Sequence, residues 1–234
     1  MPSHIGFESA VSKDAWALTR SLVADNSPYF ESGARLSYTS DNRRLSLAAL
    51  ALNGWQLITR VDGNSLLSYG TQVYYKPTDK IALNYSTFFG TDKPDSNRLW
   101  RYYHNFYGIF QFSDKIGLTA GFDIGGEKES VNDKDNNTWY TPVAILRITP
   151  NDKFGIAFRG EYFSDENGVI IASGTPNGFK TTGLSANLDF MPIKNAALRF
   201  EIRNLNSKDR IFTDSDGNLS KSNTAITFST AISF

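Results

Sequence analysis

The chain's imidazoles are His4 and His104, and it has no cysteine. Thiolate nucleophiles, thiolate metal sites and disulfides are therefore excluded. A Ser-His-Asp hydrolase needs a histidine beside a hydroxyl and a carboxylate. His104 stands in Arg101-Tyr102-Tyr103-His104-Asn105, where alternation turns it to an apolar face near a strand end. His4 sits at what reads as a frayed start. No Gly-x-Ser-x-Gly, phosphate loop or His-Glu-x-x-His occurs. Asp214-Ser215-Asp216-Gly217-Asn218 has the first half of an EF-hand spacing but no distal Glu, and the oxygens of 132–137 share their loop with Lys134. Asp, Asn and Gly favour turns in any case. The expectation is no enzyme, no cofactor and no metal.

What remains is electrostatic chemistry. Glu31, Arg35, Gln72, Asn84, Asp123, Arg147, Arg159, Glu161, Arg199, Glu201 and Arg203 fall at alternate positions, opposite apolar neighbours. Charges of both signs, mixed with glycine and serine, suit the wall of a water-filled lumen, where cross-strand pairs hold them. On this reading these eleven residues line a pore. The competing reading is the wet outer face of a soluble β-protein. Strands of 10–14 residues argue against it, since the usual length is about 5–6.

The elements that present these residues follow a repeat. Short turns recur at Asp41, Asp79, Asp114, Asp152 and Asn195, a unit of about 35 to 43 residues, and longer polar connections lie between them. Alternation flanks every connection: Leu198, Phe200 and Ile202 against Ala197, Arg199, Glu201 and Arg203, or Thr224, Ile226, Phe228, Thr230, Ile232 and Phe234 against Ala225 to Ser233. Period-2 patterning predicts strands. Short turn, long strand, long loop, long strand is the plan of an all-β, antiparallel up-and-down transmembrane β-barrel, with short periplasmic turns and longer extracellular loops. Eleven complete strands are predicted near 30–39, 43–53, 65–77, 81–91, 99–112, 115–127, 138–149, 153–164, 179–191, 195–206 and 222–234, with a partial strand at 3–9. No run of about 18 apolar residues predicts a membrane helix.

Aromatics make up 14% of the chain, with 17 Phe and 11 Tyr, enough for two interfacial belts. Tyr38, Tyr75, Phe112, Phe190 and Phe234 are predicted at the short-turn belt, and Trp55, Trp100, Trp139, Tyr140 and Phe163 at the loop belt. Residues 9–28 read as a helical or irregular segment, with Ser12 as helix cap. A helix in an extracellular loop is the first reading of this segment, and inward constriction of the pore the second. The 24 basic and 24 acidic residues cancel, with no basic block to suggest nucleic acid.

At Ser3-His4-Ile5-Gly6-Phe7-Glu8-Ser9, Leu18-Thr19-Arg20-Ser21-Leu22, Asp25-Asn26-Ser27-Pro28-Tyr29-Phe30 and Ala51-Leu52-Asn53-Gly54-Trp55-Gln56, the chain resembles the OmpL-like β-barrel porin family of Bacteroidetes-type bacteria. The resemblance covers essentially all 234 residues. It implies an outer-membrane porin, of which this single domain would be the C-terminal portion; the partial first strand and the absence of a signal peptide carry the same expectation. Expected partners are the outer-membrane bilayer, small hydrophilic solutes, the barrel-assembly machinery through the strand ending at Phe234, and further copies in a homo-oligomer. The expected function is passive diffusion through the lumen. Its rival is a non-conducting barrel serving binding, adhesion or anchorage.

Overall fold

Alternating side chains bury one face of a strand only if something lies against that face, and here the apolar face is the bare one. The computed structural model describes residues 1–9, 11, 14–131 and 135–232. It contains ten strands in meander, β1 (Gly33–Thr39), β2 (Leu45–Leu52), β3 (Ser68–Thr78), β4 (Ile81–Gly90), β5 (Arg101–Ser113), β6 (Ile116–Lys128), β7 (Asn136–Asn151), β8 (Phe154–Asp165), β9 (Phe179–Ile193) and β10 (Ala196–Ser207). A two-strand ribbon follows, β11 (Phe212–Thr213) with β12 (Leu219–Ser220), and then β13 (Ser222–Ile232). The eleven-stranded sheet runs β1 to β10 in order and ends on β13, every pair antiparallel. Nine of its ten neighbouring pairs are thus consecutive hairpins, the tenth, β10 with β13, being linked through the ribbon, and the eleven predicted strands fall where the alternation put them.

The short-turn rim is built by a repeated device. Register shifts occur between Tyr75 and Thr78, Gln111 and Ser113, Ile148 and Asn151, and Ala196 and Leu198. Beside them, the N–H groups of Lys76, Gln111, Thr149 and Met191 donate to the carbonyls of Arg44, Lys80, Lys115 and Lys153, each one residue ahead of an even-numbered strand. Bulges at a rim bend and twist the wall, as curvature requires. The family of polar turns visible in the sequence is therefore also a family of bends.

The outward face carries Leu36, Phe106, Phe122, Phe158, Leu184, Leu188, Phe200 and Phe228, all exposed. The concave face buries Asn84, Asn105, Asp123, Arg159, Glu161, Asn187, Asp189, Arg199 and Glu201. A soluble barrel has the reverse arrangement, because water favours apolar burial. An apolar outside and a charged inside are stable only with hydrocarbon around the wall.

Three expectations need correction. Residues 3–9 form no strand; a single bridge joins Pro2 to Phe30. The helix expected within 9–28 is four residues, α1 (Leu22–Asp25), capped by Ser21, whose Oγ accepts the Ala24 N–H at 3.3 Å. Ser12 lies outside the described residues, as does Phe234. The segment also leaves the loop region and crosses the concave face, because its main-chain groups find partners there. Trp139 is not a girdle residue. It is 1% exposed and faces inward, as do buried Phe163 and half-buried Trp55. Each stands where alternation along its strand, or the inward lean of its loop, overrides mere nearness to the strand end.

Candidate functional site

The predicted lumen residues occupy the concave face, and most touch one another or the seated segment. On one wall a relay of side chains joins five strands, β1 and β3 to β6. Arg35 donates to Gln72 Oε1 at 3.0 Å, Gln72 to Asn84 Oδ1 at 2.9 Å, Asn84 to Asn105 Oδ1 at 3.1 Å and Asn105 to Asp123 Oδ1 at 2.6 Å. The Tyr103 hydroxyl donates to the other oxygen of Asp123. Arg35 is exposed, because β1 is an edge strand on which none of the described residues is seated. Glu31 precedes β1 and pairs with His4 Nδ1 at 2.7 Å, while His4 Nε2 donates to the Thr87 carbonyl at 2.8 Å. Far from frayed, His4 is 2% exposed.

On the other wall four arginines and three carboxylates form a ladder on β7 to β10. Arg199 holds Asp189 at 2.7 Å, Arg203 holds Glu161 at 2.7 Å, and Arg159 holds Glu201 at 2.9 Å. Further donors and acceptors of this ladder reach the main chain of residues 15–22. The carbonyls of Ala15, Trp16, Thr19 and Arg20 accept from Arg199, Arg147, Arg159 and Arg203 at 2.9, 3.3, 2.6 and 3.0 Å. The N–H groups of Leu18, Thr19 and Leu22 donate to Asn187, Glu201 and Glu161 at 3.0, 2.6 and 2.6 Å. Among the described residues this bent segment pairs with no strand and must satisfy its peptide groups otherwise. Here side chains of the wall do it, with charge-assisted bonds worth about 1.5–3 kcal/mol each.

Glycines on the wall make room for the segment's side chains. A Cβ at Gly70 would stand 2.7 Å from His4 Nε2, one at Gly117 2.8 Å from the Trp16 ring, and one at Gly121 3.2 Å from the Phe7 ring. Wall and segment are thus mutually fitted, by charge and by shape.

Toward the long loops the interior becomes apolar. Ile5, Leu22, Leu50, Leu52, Phe88, Tyr103, Trp139, Phe163 and Phe179 form one cluster, with Trp55, Val169, Ile170 and Ile171 against it. Asp165 turns the 166–178 loop inward by accepting the N–H groups of Val169, Ile170 and Ile171 at 2.9, 2.7 and 2.8 Å. At the rim, burial raises the Asp92 carboxyl above its usual range, against the pull of the Trp55 N–H and Arg101.

The predicted girdle residues fall in different settings. Tyr38, Tyr75 and Phe112 are exposed on the outer face toward the short turns. Phe190 stacks obliquely on Phe154, and Trp100 lies parallel to Phe89 with ring centroids 4.7 Å apart. Tyr140 is exposed on the loop side. His104 is exposed on the outer face, bonded to the Tyr85 hydroxyl at 2.8 Å. In the suspected calcium loop, Asp214 Oδ1 instead accepts the N–H groups of Asp216 and Asn218 at 3.0 and 2.8 Å. Half of the other loop, 132–134, lies outside the described residues.

These features define an antiparallel outer-membrane β-barrel wall with a polar, partly filled interior. The family model described as "Putative beta-barrel porin-2, OmpL-like" matches residues 1–234, and the chain belongs to that porin family. Among solved structures it is similar to the anion-selective porin from Comamonas acidovorans, with a TM-score of 0.65 and 9% identity over 87% of this chain. The match spans 60% of that porin's length. The NanC porin in its rhombohedral crystal form gives a TM-score of 0.48 at 12% identity, covering 88% of this chain and 97% of that one. The KdgM porin in complex with disordered oligogalacturonate gives 0.40 at 14%, covering 88% and 95%. No curated protein matches the sequence.

Proposed function

We propose that the chain forms the wall of an outer-membrane porin that passes small hydrophilic solutes by passive diffusion, with residues 1–32 narrowing the lumen from within. The observation that carries this is the inverted wall: charged and amide groups inside, bare phenylalanine and leucine outside. Arg35, Gln72, Asn84, Asp123, Arg147, Arg159, Glu161, Arg199, Glu201 and Arg203 are the proposed lining, and Glu31 acts one step back by holding His4. The narrowing needs no energy source, and a wall of fixed dipoles and charges offers ions binding weak enough to leave again. Among the described residues β1 and β13 are the sheet's outer strands, an arrangement that further strands would complete into a closed wall.

The test is conductance of the folded protein in a planar bilayer. Discrete ohmic steps support the porin. A folded, inserted barrel without steps removes it and favours the second reading, a non-conducting barrel for binding, adhesion or anchorage. That reading draws on the apolar cluster and the inward-turned 166–178 loop, which together fill the loop-side interior.

A further inference from the structure

Below the seated segment, toward the short turns, the inner wall changes character. Gln111, Gly117 and Arg147 stand side by side on β5, β6 and β7. Gly117 has no side chain to place between its neighbours; a Cβ there would lie 2.8 Å from Gln111 Oε1 and 2.8 Å from the Trp16 ring. The result is a hollow of about 180 Å³ lined by Trp16, Gln111, Lys115, Gly117, Arg147 and Thr149. Its ionisable groups are both cations.

Arg147 is under-used. It lies 3.4 Å from Asp189 and 3.3 Å from the Trp16 carbonyl, long for charge-assisted contacts, which run near 2.7–2.9 Å. Asp189 is committed instead to Arg199 at 2.7 Å. No ion pair engages Lys115 among the described residues. Around the hollow stand one spare amide hydrogen, on Gln111, whose other donates to the Ser113 carbonyl, and the Thr149 hydroxyl, loosely set on the Lys115 carbonyl at 3.4 Å. Donors outnumber acceptors, and positive charge exceeds negative.

We propose that this hollow is an anion subsite, taking a compact oxyanion such as a carboxylate or phosphate as it leaves or enters by the short-turn mouth. Arg147 supplies the planar fork, Lys115 a point charge, and the Trp16 indole a dry wall on one side. As a waypoint for permeating solute the subsite rests on the porin reading; as a binding site it does not.

The full chain folded in detergent is titrated with inorganic phosphate, and separately with acetate, while tryptophan emission is followed; Trp16→Phe identifies the signal from the hollow. A saturable change is expected, lost in Trp16→Phe, with affinity weakened about tenfold in Lys115→Gln. Lys115 is in an exposed turn, so this variant folds whatever Arg147→Gln does. A response to phosphate alone narrows the ligand to phosphates, and a response to both keeps carboxylates. No saturable change, or equal affinity in wild type and Lys115→Gln, overturns the subsite. A folded barrel that answers the titration but shows no conductance defeats only the porin reading. One that conducts without answering defeats only the subsite.

Discussion

Glu161 joins the seated segment to two arginines of the ladder. Its oxygens take the Leu22 N–H and the Arg203 guanidinium, with Arg159 Nε at 3.3 Å, and its side chain is fully buried. Removing one member of such a set leaves the others charged and dry, a loss of about 3–5 kcal/mol. Glu161→Ala should therefore unfold at markedly lower urea in detergent micelles, whereas Glu161→Gln, which keeps an acceptor for Leu22, should lose less. Equal midpoints for wild type and Glu161→Ala would mean that the ladder is decoration. The alternation of Phe158, Gly160 and Tyr162 against Arg159, Glu161 and Phe163 placed this glutamate inside. It could not show that its partner would be a peptide N–H 139 residues away. His4 was illegible for the same reason: its partners Glu31 and Thr87 are near it only after the wall has curved.

At the scale of elements, strands were readable because period 2 is a local property, while the seat of residues 1–32 depends on which distant strands face it. The wall's glycines are the trace it leaves in the sequence. Gly70→Ala, which puts a methyl where the His4 ring lies, should loosen the segment and expose it to protease, with cleavage appearing between residues 1 and 32. Gly126→Ala, whose nearest neighbour would be an ordinary 3.4 Å away on the outer face, should leave cleavage unchanged. Equal cleavage in both would argue that the segment is held by the ladder alone. The two faces of the wall can be told apart in the same way. Phe158→Arg, on the outside, should cost about 2–4 kcal/mol of stability in bilayers if it lies near the midplane. Thr227→Arg, beside Glu201 on the inside, should be tolerated. Trp139, Trp55 and Phe163 mark the limit of pattern reading: an aromatic near a strand end suits a girdle or an interior cluster, and only strand parity with loop packing decides.

For the whole molecule, charge on the inner wall should set what passes. Arg199 and Arg203 face three carboxylates, and neutralising both leaves Asp189 and Glu161 in excess; reversal potentials across a potassium chloride gradient should move toward cations. An unmoved reversal potential would place the ion path elsewhere. The barrel plan itself was legible from turn spacing and alternation, together with the filled-or-open question about 9–28 that only three-dimensional neighbours could answer. That answer has a consequence in time. The wall partners of residues 15–22 lie 131 to 184 residues downstream. Residues 15–22 must wait for these partners until β7 to β10 have assembled. Closing so long a loop is slow, and non-local contacts form late. The segment seated on the concave face is thus the last to settle, and a barrel caught just before that moment would be finished on its outside and still empty within.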